Sequence, residues 1–201
     1  MTDIRHEGPE RVTAFSDGVF AIAITLLVLP LTDAEIDPER VGESLQDLLP
    51  SILTFALSFA VIGRYWVVHH RLFEQIVRVD GGLLTLNLVY LFAIAFLPFP
   101  TSVLADNGST AGTLLYALNL LAVGTISMVL WWYASTRGRL VRPEVTARDA
   151  RVRLIHAAAP TVALLPSIPL AFVAPDAAKW SWLLIVPVSV LGDRLYPDEP
   201  R

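Results

Sequence analysis

The sequence predicts an all-α membrane protein that crosses the bilayer six times and keeps both termini in the cytoplasm. Three observations predict this fold class: six apolar blocks, a shortage of charge, and basic residues that fall almost entirely on one side. Only 17% of the 201 residues are Asp, Glu, Lys or Arg, against about 25% in soluble domains. The sequence contains no Cys, which excludes disulfides, thiolate metal sites and cysteine nucleophiles within it.

Each apolar block approaches the ~20 residues that a helix needs to cross about 30 Å of hydrocarbon. The six predicted spans are residues 12–31, 48–68, 83–103, 113–133, 154–173 and 177–191. The first is interpreted as a retained helix, since no small-residue cleavage site closes it as in a signal peptide. The fifth contains Pro160, Pro166 and Pro169, which a membrane helix tolerates when neighbours satisfy the freed backbone groups. The sixth is short and contains Pro187, so a tilted or half-buried helix is expected there.

The placement of charge supports this topology. Residues 12–192 form one predicted transmembrane domain, between a cytoplasmic segment at 1–11 and a cytoplasmic tail at 193–201. With six spans, Arg40 and Lys179 fall outside, and the other Lys and Arg residues fall on the cytoplasmic side, as the positive-inside rule requires. The cytoplasmic set is Arg5, Arg11, Arg64, Arg71, Arg78, Arg137, Arg139, Arg142, Arg148, Arg151, Arg153, Arg194 and Arg201.

Two further features lie near the predicted span ends. Aromatic side chains there are expected at the membrane–water interface; they are Tyr65, Trp66, Trp131, Trp132, Trp180 and Trp182. The first outer loop is acidic, and it is expected to raise the local cation concentration. Exposed charge is screened within about 8 Å at physiological salt, so this effect should be modest.

The first span combines a carboxylate with an apolar stripe. Asp17 lies a few residues into the span, where an unpaired carboxylate is costly, so a partner is expected. At about 100° per residue, Ile22, Leu26 and Leu29 share one stripe of the helix. Asp17 and Ser16 lie about 140° and 120° from Ile22, near the opposite face.

The polar side of this span should face other helices of the same chain, because a carboxylate is not tolerated against lipid. Candidate partners in the second and third spans are Arg64, His69, His70 and Asn87. The apolar stripe then faces either lipid or another copy of the chain, and composition alone does not separate these two alternatives.

The first span also resembles that of a known family. An Arg-x-x-x-Phe-Ser-Asp motif is followed by Gly-Val-Phe-Ala-Ile-Ala-x-Thr-Leu-Leu-Val, and a Trp-x-x-His pattern lies late in the second span. The motif residues are Arg11, Phe15, Ser16, Asp17, Trp66 and His69. Together with six spans in about 200 residues, they resemble the bacterial branch of the endosomal/lysosomal potassium channel family.

The resemblance implies a homotetramer that conducts potassium passively across a prokaryotic plasma membrane, through a central pore lined by the first spans. Ile22, Leu26 and Leu29 would form an apolar constriction, and Thr25 would lie near the narrow region. Potassium would pass without a fixed site, since the sequence lacks a glycine-rich carbonyl filter. A motif network would hold the helices together; its members are Arg11, Phe15, Ser16, Asp17, Trp66, His69, His70 and Asn87.

Other functions stay open at this stage. A proton channel or ion-coupled transporter would use Asp17 and a histidine as a relay, and a non-conducting membrane scaffold is a further alternative. No enzyme activity and no cofactor are expected, because neither a GxSxG nucleophile turn nor a Walker-type loop occurs. The adjacent His69 and His70 point in different directions on a helix and are not expected to bind a metal together. The basic run at 137–153 indicates topology and weak contact with membrane lipid, not nucleic acid.

Overall fold

A computed structural model describes residues 8–107, 109–136, 140–184 and 187–188. Its helices, in order, are α1 Pro9–Leu26, α2 Leu29–Thr32, α3 Val41–Phe73, α4 Gly81–Phe96, α5 Pro98–Asn107, α6 Thr110–Thr136, α7 Ala147–Leu164, α8 Ser167–Val173 and α9 Pro175–Ser181, followed by a 3-10 turn at Trp182–Leu184. Several predicted features lie outside the described residues: most of segment 1–11, the end of the sixth span, the tail 193–201, the Trp180 side chain, and Arg5, Arg137, Arg139, Arg194 and Arg201.

Within the described residues, four helical segments are long and apolar enough to cross a membrane. They are Pro9–Thr32, Val41–Phe73, Gly81–Ala105 and Thr110–Thr136. Each begins before and ends after one of the first four predicted spans. The 33 residues of α3 correspond to about 50 Å of helix, so α3 extends well beyond a hydrocarbon core of about 30 Å.

Prolines divide two of these segments. α1 ends at Leu26, and the one-turn α2 begins three residues later, at Leu29, with Pro30 in its first turn. Pro30 has no N–H to donate to the carbonyl of Leu26, so the regular helix stops there. The same effect separates α4 from α5 at Pro98, where the N–H of Leu97 bonds instead to the carbonyl of Ile94 at 3.1 Å.

The region of the fifth predicted span contains two helices. α7 begins with a capping box, in which Thr146 Oγ1 accepts from the Asp149 N–H at 3.2 Å and Asp149 Oδ2 accepts from the Thr146 N–H at 2.9 Å. α7 ends at Leu164, two residues before Pro166, and α8 begins at Ser167. Charged residues in the first two turns of α7 keep this helix outside the four apolar segments.

Buried side chains form two clusters that join the helices. Phe20, Ile62, Tyr90 and Leu120 belong to the larger cluster. The second cluster contains Val12, Leu72, Leu130 and Trp131, among others. α6 lies at the centre, in contact with α3, α4, α5, α7 and α8. At Gly124, a side chain on α6 would overlap Thr161 of α7, so this glycine permits the close approach of the two helices.

Three aromatic side chains expected at the membrane interface lie in the protein core instead. Tyr65, Trp131 and Trp182 have at most 1% of their surface exposed. The Tyr65 hydroxyl donates to a backbone carbonyl of α6 at 3.0 Å, and the Trp131 Nε1 donates to one of α7 at 2.8 Å. Because the polar groups of Tyr65 and Trp131 have protein partners, these two rings need no contact with water. The interfacial prediction was wrong for them; Trp66 and Trp132 are exposed.

The linkers show which helix ends lie together. An antiparallel bridge pairs Ile76, after α3, with Val141, after α6. Arg153 in α7 donates from Nη1 to the carbonyl oxygen of Arg71, near the end of α3, at 3.5 Å. The end of α3, the end of α6 and the start of α7 therefore share one end of the bundle. The acidic linker before α3 lies at the opposite end of that long helix.

Candidate functional site

α1 has one buried face and one exposed face. The buried residues recur every three or four positions; with Leu27 just after the helix, they are Val12, Ser16, Phe20, Ala23 and Leu27. Exposed residues recur on the other side with the same spacing; they are Arg11, Phe15, Gly18, Ile22, Thr25, Leu26 and Leu29. Positions three and four apart are neighbours on a helix, so each set forms a continuous stripe. α1 thus contacts its own chain on one side and leaves the other side uncovered.

The residues predicted to form a constriction all lie on the exposed stripe. The exposed fraction is 61% for Ile22, 40% for Leu26 and 51% for Leu29. Leu29 follows the break after α1, so the stripe continues onto α2. Thr25 lies between them, and its hydroxyl donates to the Ile22 carbonyl at 2.8 Å. Between Ile22 and Leu29, the exposed stripe is therefore apolar except for the Thr25 hydroxyl, which donates to its own helix.

Three helices meet at a hydrogen-bonded chain on the buried side of α1. Asn87 in α4 donates from Nδ2 to Ser16 Oγ at 3.0 Å, and Ser16 donates to the Val12 carbonyl at 2.8 Å. The Asn87 Oδ1 lies 2.9 Å from Nε2 of His69 in α3. An amide oxygen is an acceptor, so His69 donates in this bond. Ser16, His69 and Asn87 are buried, and their hydrogen bonds join α1, α3 and α4.

Aromatic rings surround His69 on several sides. The centroid of its ring lies 4.3 Å from that of Phe73, 5.3 Å from that of Tyr90 and 5.6 Å from that of Phe20. Sequence reasoning missed these three residues as part of the site. Their spacing held a signal, because Phe73 is four residues after His69 and Phe20 is four residues after Ser16, which places each pair on one helix face.

A second contact joins α1 and α3 beside this chain. Trp66 Nε1 donates to Asp17 Oδ1 at 2.8 Å, so the carboxylate has a partner, although Trp66 was not one of the four candidates named from the sequence. The Trp66 ring stacks on His70 with a centroid distance of 5.5 Å. His70 Nε2 in turn lies 3.6 Å from Glu74 Oε1. Each histidine is thus linked to α1 through one other residue. Asn87 connects His69 to Ser16, and Trp66 connects His70 to Asp17.

Three other predicted participants occupy different surroundings. Phe15 is 57% exposed, and Arg11 is exposed at the start of α1, so both lie on the uncovered stripe of that helix. Arg64, considered above as a partner for the α1 motif, is 8% exposed and lines a cleft against α7. Arg64 faces α7 because of the way α3 is rotated against α1. The sequence of α3 alone does not show this rotation.

A further polar group joins α3, α5 and α6 in the core. Ser58 Oγ and the Tyr116 hydroxyl lie 3.0 Å apart, and Thr101 Oγ1 donates to Ser58 Oγ at 3.2 Å. Sequence reasoning did not single out these residues. Hydroxyl side chains are common between membrane helices, so their presence in apolar segments gives only a weak signal.

The sequence matches the family described as endosomal/lysosomal potassium channel TMEM175 over residues 11–98, from α1 to the first residue of α5. It is 40% identical to a potassium channel of Streptomyces collinus over 169 residues, which cover 81% of this chain and 82% of that protein. The chain belongs to the TMEM175 family. The bacterial relative is named as a potassium channel, in agreement with the resemblance found in the first span.

The fold is also similar to a solved family member. The crystal structure of a lysosomal potassium-selective channel TMEM175 homologue from Chamaesiphon minutus has a TM-score of 0.78 and 29% sequence identity, and the match covers 92% of this chain and 98% of that one. The mouse endosomal/lysosomal proton channel TMEM175 is 29% identical over 157 residues, which are 75% of this chain and 32% of that protein. The chain is therefore a multi-pass membrane protein whose relatives are channels named for two different cations.

Proposed function

We propose that this chain forms a potassium channel of the prokaryotic plasma membrane, in which α1 from four copies lines a central pore. The observation that carries the proposal is the uncovered stripe of α1. Ile22, Leu26 and Leu29 leave 40% to 61% of their surface exposed in the single chain, although α1 is well packed on its other side. Copies that meet around an axis cover such a stripe and enclose a narrow apolar passage.

The composition of the stripe favours a pore over contact with lipid. Exposed residues on α4 and α5 include the large aromatics Phe92, Phe96 and Phe99, which suit a hydrocarbon environment. The α1 stripe contains one such aromatic residue, Phe15, but it also contains Arg11 and Thr25. The Thr25 hydroxyl lies well inside the span, where it suits a water-filled passage better than lipid. Arg11 does not add to this argument, because it lies at the start of α1 and its positive charge would repel a passing cation.

The stripe also supplies a means of selecting ions. Rings of Ile22, Leu26 and Leu29 create constrictions that oppose fully hydrated ions and gate by dewetting. The Thr25 oxygen donates its proton to the helix backbone, so its lone pairs remain available to a passing cation. Potassium passes transiently in this mechanism, and no fixed ion site is required.

The proposed topology has six spans and cytoplasmic termini, with residues 12–192 as one domain. α7 with α8 forms the fifth span, and the region that begins with α9 forms the sixth. The bundle end where α3 and α6 finish and α7 begins holds a group of basic residues: Arg71, Arg78, Arg142, Arg148 and Arg151. The linker before α3 is acidic. This asymmetry supports a cytoplasmic location for the basic end.

The buried network has a supporting role in this proposal. Ser16, Asn87 and His69 tie α1 to two neighbouring helices, and Trp66 holds Asp17. These contacts fix the rotation of α1 about its own axis, which keeps the apolar stripe directed away from the protomer. Arg11, Phe15 and His70 complete the proposed motif network at its edges.

Proton conduction is a second candidate, because the mouse relative is named as a proton channel. Asp17 and His69 are the groups that a relay would use. Their surroundings favour a structural role: Asp17 accepts from Trp66, and His69 is 2% exposed among aromatic rings. A proton path through Asp17 and His69 would also run on the opposite side of α1 from the exposed stripe that lines the proposed pore.

Flux measurements on the purified chain in liposomes test the main proposal. We expect potassium-dependent flux above that of protein-free liposomes, with sodium flux lower under a matched gradient. Native mass spectrometry of the same preparation should give four copies per particle. Flux at background in a folded tetramer supports a non-conducting scaffold, whereas proton flux without potassium flux supports the second candidate.

A further inference from the structure

The exposed side of α7 changes from basic to apolar along the helix. Arg148 and Arg151 are exposed in its first two turns, and Ile155 and Val162 are exposed further along. These four residues lie at i, i+3, i+7 and i+14, so they form one continuous stripe, called here the α7 stripe. The pore proposal does not use any of them.

Both arginines of the α7 stripe have their charge available. Within the described part of the chain, neither guanidinium takes part in an ion pair or a hydrogen bond. Asp149 lies between them in the sequence, but it lies about 100° away from Arg148 around the helix and accepts the Thr146 N–H. Residues 140–153 contain four arginines and two carboxylates, which leaves a net charge of +2.

A contact with α6 places the basic part of the stripe near the membrane interface. Trp131 of α6 donates from Nε1 to the carbonyl oxygen of Ala150, the residue before Arg151, at 2.8 Å. Trp132 follows Trp131 and is 57% exposed. An exposed tryptophan near the end of a membrane helix is typical of the level where hydrocarbon meets lipid headgroups. Arg151 therefore lies near that level, and Val162 lies about 16 Å further along α7.

We propose that the α7 stripe binds anionic phospholipids, with its two arginines at the headgroups and with Ile155 and Val162 against the acyl chains. Along the helix axis, Ile155 lies about 6 Å from Arg151 and about 10 Å from Arg148. The polar region of a bilayer is about 5–8 Å thick on each side, and long arginine side chains keep their charged ends within it. The proposal rests on the proposed fifth span, in which α7 and α8 cross the membrane.

The charge of the stripe determines which lipids it prefers. Guanidinium N–H donors match the phosphate oxygens of any phospholipid. Phosphatidylcholine carries a compensating ammonium group, whereas phosphatidylglycerol keeps a net negative charge. A basic surface near the headgroups therefore favours the anionic lipid, by about fivefold in affinity for each arginine.

Thermal unfolding of the purified full chain in a neutral detergent tests this preference. The protein is titrated with dioctanoyl phosphatidylglycerol and, separately, with dioctanoyl phosphatidylcholine at constant ionic strength. A lipid that binds the folded state raises Tm, so a half-saturating concentration follows from each titration. The test variant is R148Q/R151Q. The control is R40Q/R78Q, which removes the same charge from exposed positions in linkers outside α7.

We expect the half-saturating concentration of phosphatidylglycerol to rise about 25-fold in R148Q/R151Q and to stay within about twofold in R40Q/R78Q. R148K/R151K keeps the charge and should stay within about threefold of the wild type. If R148Q/R151Q does not fold, R151Q with R78Q as its control replaces it, with an expected loss of about fivefold. Equal binding of the two lipids by the wild type, or equal losses in the test and control variants, overturns the proposal.

A second measurement separates this proposal from the proposed fifth span. The sequence contains no Cys, so R148C and V162C each introduce a single thiol. In liposomes, a membrane-impermeant maleimide should label R148C, whereas V162C should react only after detergent is added. A protected V162C together with equal binding of the two lipids overturns the lipid proposal alone. A V162C that reacts as readily as R148C without detergent overturns the fifth span, and with it the depth assigned to the stripe.

Discussion

The two faces of α1 differ in kind. On the side that contacts its own chain, the buried Ser16 and the partly exposed Asp17 each bond to a side chain of another helix, and Phe20 packs against His69 and Tyr90. On the exposed face, the Thr25 hydroxyl bonds within its own helix, and Ile22, Leu26 and Leu29 leave 40% to 61% of their surface exposed in the single chain. Ser16 and Asp17 therefore contact the rest of their own chain, whereas Ile22, Leu26 and Leu29 belong to the proposed ion path.

We therefore expect substitutions on the two faces of α1 to affect different properties, namely stability on one face and ion flux on the other. Substitutions on the buried face remove contacts that the chain makes with itself, so they should lower stability. Substitutions on the exposed face remove few such contacts, so they should change ion flux in a protein that still folds. A residue that violates this division would show that the proposed orientation of α1 is incorrect.

The largest functional effect is expected at Ile22. In I22A, the constriction becomes wider and easier to wet, so potassium flux should rise and the preference over sodium should fall severalfold. Liposome flux under potassium and sodium gradients measures both quantities. The matched control is L118A on α6, because Leu118 is 57% exposed and Ile22 is 61% exposed.

We expect L118A to conduct and select like the wild type. If I22A leaves both flux and ion preference unchanged in a folded protein, Ile22 does not face the ion path. If L118A changes selectivity instead, the pore is lined by α6 and the comparison between the faces of α1 loses its functional meaning.

The largest stability effect is expected at Asn87. N87A removes the bonds to Ser16 and His69 and leaves a buried imidazole N–H without its acceptor. Such a loss costs about 2 kcal/mol, near the upper end measured between membrane helices. Tm in detergent should fall by roughly 4–8 °C.

T85A on the same helix is the control for N87A. Its hydroxyl is exposed and bonds within α4, to the carbonyl of Gly81 at 2.8 Å. We expect its Tm to stay within about 2 °C of the wild type, the range for surface substitutions of a few tenths of a kcal/mol. Equal Tm values for N87A and T85A would contradict an interhelical role for Asn87.

Sequence periodicity predicted much of this arrangement because membrane helices obey strict rules. A polar residue in an apolar span needs a protein partner, which explains why Ser16, His69 and Asn87 were recognised together. The 3.6-residue repeat separated Asp17 from Ile22 without any tertiary information. These inferences required only the position of each residue along its own helix.

Features that depend on packing between helices were not predictable in the same way. An aromatic residue near a span end suits the interface or the core, and the hydrogen bonds of Tyr65 and Trp131 to neighbouring helices decide for the core. Arg64 was expected near α1, but the rotation of α3 directs it towards α7. Prolines were visible in the sequence, yet whether a segment bends or ends at Pro98 depends on its neighbours.

A smaller stability effect is expected at Trp66. W66F keeps an aromatic ring beside His70 but removes the donor to Asp17, at a cost of about 1 kcal/mol. Tm should fall by roughly 2–4 °C. W132F makes the same chemical change at an exposed ring and should leave Tm unaltered. A larger fall in Tm for W132F than for W66F would contradict a stabilising role for the bond between Trp66 and Asp17.

The smallest effect is expected for D17N, which tests whether the buried face takes part in transport. Asparagine keeps an Oδ1 acceptor for Trp66 but has no carboxyl group to titrate. If Asp17 is structural, potassium flux should stay within about twofold of the wild type, and Tm should change by less than in W66F. If Asp17 belongs to a proton relay, D17N should abolish proton flux in a protein of unchanged Tm. That result would assign a transport role to the buried face, and the two faces of α1 would then conduct different ions.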